Sequence, residues 1–137
     1  MTADAARAVP DVFAGTPGRL YDPRAPGVIA DYRRVAREVA PGRARLELER
    51  DGARLEVIVR VTPVAVGTAR PANAAEVEDV LLTFAGAAAM EDPADRGALE
   101  HYREVERREE GGATVLTLQR RGGKSGLEVA IATRGLD

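Results

Sequence analysis

Residues 44–61 read ARLELERDGARLEVIVRV, and this stretch decides the fold. Ala44, Leu46 and Leu48 alternate with Arg45, Glu47 and Glu49. After Asp51-Gly52, Leu55, Val57, Val59 and Val61 alternate with Arg54, Glu56 and Arg60. A period of two puts successive side chains on opposite faces of a strand. Asp-Gly between two such runs signals a two-residue hairpin, because both turn positions need positive φ. That turn pairs Arg50 with Ala53, Glu49 with Arg54, Leu48 with Leu55 and Leu46 with Val57, which gathers the apolar residues on one face. It also sets Glu47 against Glu56, a like-charge conflict left to solvent to screen.

Upstream, Val28, Ile29, Tyr32, Val35, Ala36 and Val39 follow the i, i+3, i+4, i+7 spacing of an amphipathic helix, stopped by Pro41-Gly42. Residues 1–26 carry five prolines and glycines between Pro10 and Pro23 with a sixth at Pro26, too much punctuation for regular structure. The expectation there is a flexible or docking N-terminal arm whose contact residues are Phe13, Leu20 and Tyr21, ahead of a single α+β domain at 27–137.

Downstream, Pro63 stops the second strand. Asn73 and Glu76 form a capping box that opens a helix through about Met90, with Val77, Val80, Leu81, Phe84 and Ala88 on its apolar stripe. Residues 94–110 read two ways: Ala98, Leu99, Tyr102 and Val105 permit a helix on a thin stripe, while 103–109 reads equally as an edge strand. The favoured reading is a short helix to about Tyr102 followed by that strand. Val115–Leu118 and Leu127–Ile131 are further strands, joined through Gly122–Gly126. The two hairpins resemble each other in charge alternation, too weakly for the sequence alone to claim a repeat. The expected fold is α+β: a single antiparallel sheet of four to five strands, with two to three helices packed on one face.

The inventory narrows the chemistry. There is no Cys, and His101 and Ser125 are the only residues of their kinds. A Ser-His nucleophilic system has to use that one pair, and no strand–elbow–helix context surrounds Ser125. Gly122-Gly123-Lys124-Ser125 invites a phosphate-loop reading, but Leu118 stands where that motif needs glycine. No metal-ligand spacing occurs, and no cofactor is expected.

Twenty Lys and Arg face 22 Asp and Glu in 137 residues, interleaved along the chain, and Lys124 is the only lysine. The Arg excess fits a GC-rich coding bias better than a phosphate-binding face, so nucleic acid is disfavoured as a partner. Arg120, Arg121 and Lys124 around the glycine turn remain a candidate anion-binding group. Tyr32, Phe84 and Tyr102 are candidates to line a pocket between sheet and helices. The absence of a signal-like leader or an apolar run of membrane-spanning length points to a cytoplasmic location with no membrane partner. These features together favour a non-enzymatic interaction or accessory module that binds itself or another protein. A small-molecule-binding domain, including an enzyme of unusual residue use, is the alternative.

Overall fold

The hairpin forms as its sequence dictates. In a computed structural model, which describes residues 33–85 and 97–136, Asp51 and Gly52 take φ of 53° and 80° between β2 (Arg43–Arg50) and β3 (Ala53–Pro63). Arg50 pairs with Ala53, Glu49 with Arg54, Leu48 with Leu55 and Leu46 with Val57. Ala44, Leu46, Leu48, Leu55, Val57 and Val59 are all buried on one face.

The segment ahead of it is not the expected helix. Residues 33–40 form strand β1 (Arg33–Ala40), antiparallel to β2 and joined through a turn in which Gly42 takes φ of 73°. A bulge between Arg34 and Ala36 explains the misreading. One extra residue in a strand breaks its period of two, and Val35, Ala36 and Val39 then fall by coincidence at helical spacing.

After β3 the chain makes a two-residue strand β4 (Arg70–Pro71), parallel to the start of β7, and then helix α1 (Ala74–Ala85). Asn73 Oδ1 accepts the Glu76 N–H at 2.8 Å and Glu76 Oε1 accepts the Asn73 N–H at 3.1 Å, so the expected capping box closes in both directions. A 3-10 helix (Gly97–His101) leads into β5 (Tyr102–Glu110), followed by β6 (Ala113–Arg120) and β7 (Ser125–Gly135).

The strand order is β1-β2-β3-β7-β6-β5, with β4 beside β7. The fold therefore departs from the expected one. There are seven strands in a single sheet and a single α-helix among the described residues, in place of four to five strands and two to three helices. The extra strands are β1, read as a helix, and β4, too short for any periodicity. Helix α1 lies over β3 and β2 and closes the core with Val77, Val80, Leu81 and Phe84. Each such side chain contributes about 1.5–3 kcal/mol by leaving water.

The six long strands form two three-stranded meanders related by a pseudo-two-fold axis. Ladder by ladder the register repeats. Arg34 faces Leu48 as Glu104 faces Leu118, and Leu46 faces Val57 as Leu116 faces Val129. At the centre Val57 faces Thr133 and Val61 faces Val129, leaving Val59 against Ile131 on the axis. Even the bulge recurs, between Glu104 and Glu106 of β5.

Candidate functional site

The densest polar cluster converges on one carboxylate. Glu76 stands in the first turn of α1, where unpaired backbone N–H groups favour negative charge. β4 brings Arg70 to 3.1 Å from its Oε1, and β7 brings the Ser125 hydroxyl to donate to Oε2. Tyr102 O–H donates to the same oxygen at 3.4 Å, with Arg120 Nη1 3.9 Å away. The Arg120 guanidinium also sits over the Tyr102 ring, 5.8 Å from its centroid.

Burial alone pushes the Glu76 carboxyl up. The hydrogen bonds from Ser125, the Asn73 N–H and Arg70 outweigh it and hold the group at about 2. The Tyr102 hydroxyl moves the other way, raised chiefly by burial and also by the Glu76 charge, with Arg120 opposing.

This chemistry is structural. A general base works best with a pKa near the operating pH, and a carboxylate held at about 2 takes up no proton at neutrality. The Ser125 hydroxyl is fully buried, and its proton already points at Glu76. His101 is exposed, with its Nε2 3.7 Å from Glu100 at the end of the 3-10 helix. Glu76 thus fastens the start of α1 to β4 and β7. Nothing local in the sequence marks this junction beyond the capping box, because Ser125 lies 49 positions from Glu76.

The candidate pocket residues fall into the core: Phe84 and Tyr102 are each 1% exposed, and Tyr32 lies outside the described residues. Phe13, Leu20 and Tyr21 also lie outside them. The three cations of the glycine turn point to different duties. Arg120 serves Glu76 and Tyr102, Arg121 Nε donates to the Glu100 carbonyl at 3.0 Å, and Lys124 is exposed. Gly122 and Gly123 take φ of 92° and 71°, and Ser125 opens a strand where a phosphate loop requires a helix.

A second polar array covers the sheet face away from α1. Arg45 reaches Glu47 at 2.6 Å and Glu56 at 2.5 Å, and Arg134 Nε reaches Glu56 at 2.8 Å. Burial pushes the Glu56 carboxyl up, but its bonds to Arg45 and Arg134 leave it below the usual carboxylate range. The Glu47–Glu56 conflict is therefore resolved by Arg45 lying between the two carboxylates. On the other half, Arg108 reaches Glu110 at 2.7 Å and Glu128 at 3.2 Å.

The sheet edges differ. β1 alternates charge with Val35, Ala36, Val39 and Ala40, and Val35 and Val39 are 36% and 41% exposed. β5 carries seven charged residues in nine, with Val105 its one exposed aliphatic. Among the described residues no three His, Cys, Asp or Glu side chains group to hold a metal, and no helix is long and apolar enough to cross a membrane. Comparison with protein-family models, curated proteins and solved structures finds no match for this chain.

Proposed function

We propose that this chain is a non-catalytic interaction or accessory module that pairs with a second copy of itself along β1. The observation that carries this reading is the edge: β1 is the first strand of the sheet, exposes Val35 and Val39, and pairs among the described residues with β2 alone. Proteins usually protect such edges with charge, prolines or bulges. β5 has both charge and a bulge, whereas β1 has the bulge and only four charged residues. Two β1 strands meeting antiparallel across a two-fold axis extend the sheet and cover the valines of both copies. The polar clusters support the same reading, since the perturbed carboxylates Glu76 and Glu56 are occupied in holding elements together.

The test is native mass spectrometry with light scattering on wild type, Val39→Lys and Val105→Lys. A wild-type dimer that Val39→Lys dissociates and Val105→Lys leaves intact supports the proposal. A wild type that stays monomeric at high micromolar concentration, or a dimer indifferent to Val39→Lys, overturns it.

A further inference from the structure

The two-fold register has a counterpart in sequence that reaches beyond the described strands. Seventy positions apart, Tyr32-Arg33 matches Tyr102-Arg103, Val35 matches Val105, Arg37 matches Arg107 and Gly42 matches Gly112. Leu46, Leu48 and Arg50 match Leu116, Leu118 and Arg120 at the same spacing. Two more residues in the β6–β7 turn shift the offset to 72, and Leu55-Glu56-Val57 then matches Leu127-Glu128-Val129. These are the offsets that superpose the ladders.

The match continues upstream of β1. Asp22-Pro23 answers Asp92-Pro93, Gly27 answers Gly97, and Phe13-Ala14-Gly15 answers Phe84-Ala85-Gly86 one position out of step. The residues answered are those the core uses: Val80, Phe84, Ala85, Leu99 and Tyr102 are each at most 4% exposed. Their counterparts are Val9, Phe13, Ala14, Ile29 and Tyr32, every one apolar or aromatic. Leu81, the sixth residue of that span at most 4% exposed, is answered by Pro10, so five of the six core positions find an apolar or aromatic counterpart inside a segment rich in Gly, Pro and charge.

The sheet offers a place for them. α1 belongs in sequence to the second repeat yet packs on β3 and β2 of the first. The two-fold axis carries that position onto β7 and β6. There Leu116, Leu118, Leu127 and Val129 are at most 5% exposed, although no described helix packs over β6 and β7 as α1 packs over β2 and β3. We propose that residues 9–15 of this chain dock on the α1 side of β6 and β7, with Phe13 taking the place there that Phe84 takes over β2 and β3.

In sequence Ile29 and Tyr32 are the counterparts of Leu99 and Tyr102, and Arg50 is the counterpart of Arg120. Pro10 stands where α1 has Leu81 and has no backbone N–H to donate, so residues 9–15 are not expected to repeat α1 residue for residue. Of the other expected arm residues, Leu20 answers Met90 and shares the pattern, whereas Tyr21 answers Glu91 and does not.

The cysteine-free chain allows a direct test. A nitroxide is attached to full-length Asp11→Cys or to its counterpart Leu82→Cys, which is 42% exposed on α1, and paramagnetic broadening of backbone amides is measured. The label on Leu82→Cys broadens β2 and β3 most strongly. The expected centre for Asp11→Cys is β6 and β7. Broadening centred on β2 and β3, or confined to residues near the label, overturns the proposal. So does broadening of β6 and β7 that arises only between spin-labelled and isotope-labelled molecules in a mixture. Phe13→Ala in the intact chain gives a second reading: a loss of about 10 °C in melting temperature, as for Phe84→Ala, is expected. An unchanged Phe13→Ala melting temperature counts against docking.

Discussion

Replacing Glu76 by Gln keeps the shape of the junction and removes its charge. The magnitude follows from the carboxyl held at about 2, against 4.5 for the free group. Each unit corresponds to about 1.4 kcal/mol, so the ionised Glu76 contributes about 3 kcal/mol to folding at neutral pH. A lowered folded-state pKa stabilises above the unfolded value and ceases to do so as pH falls through the folded one. The contribution is therefore complete above about pH 5 and declines progressively toward pH 2.

Urea denaturation of wild type and Glu76→Gln from pH 7 to pH 2 measures this directly. Groups common to the two proteins cancel in the difference between the curves. The expected difference is about 3 kcal/mol at pH 7, shrinking below pH 4.5 as the wild type alone loses its charge. Curves that stay parallel over the whole range refute the reasoning. They leave Glu76 as a helix cap of ordinary strength, about 1 kcal/mol.

Two other substitutions probe different parts of the sheet. Gly126→Ala puts a Cβ 2.3 Å from Val66 Cγ2 and 2.7 Å from the Val64 carbonyl oxygen, where the β3–β4 loop crosses β7, and a loss of about 1–3 kcal/mol in urea midpoint analysis is expected. Arg45→Leu leaves Glu47 and Glu56 facing each other and raises the Glu56 pKa. The cost of Arg45→Leu is then largest at neutral pH and falls as the carboxylates protonate. A cost independent of pH places the role of Arg45 in packing instead.

The β2–β3 hairpin was legible because its alternation is unbroken and its turn chemistry demands one geometry. Helix α1 was legible from Asn73 and Glu76, two residues that satisfy each other's backbone. β1 was not, and the cause is physical. Its bulge at Val35 shifts the inward face by one residue, and an edge strand with solvent on one side carries Arg where a central strand carries Leu. β5 has the same bulge at Val105, which is why residues 94–110 could be read either way along most of their length. The Glu76 junction joins three segments distant in sequence, and no local pattern announces such a meeting. The two-fold repeat is hidden for a related reason. The matched residues are a sparse set of core and turn positions, and only the ladder registers say which offset to compare.

Symmetry also sharpens the meaning of what differs between the halves. Ser125 answers Ala53 and Glu76 answers Ala5, so the polar junction belongs to one half while the meander forms in both. The junction therefore adds stability to α1 and β7 without being a condition of the strand arrangement. The same comparison applies to the edges. A sheet with two equivalent open edges has no reason to stop growing, because every added copy presents another edge. Here β1 carries Val35, Ala36, Val39 and Ala40, while the matching positions of β5 are Val105, Glu106, Glu109 and Glu110. Under the proposed pairing through β1, the apolar edge of each copy is covered and the charged, bulged β5 strands are left outermost. Such an inequality between the edges would favour a closed pair over an open-ended array.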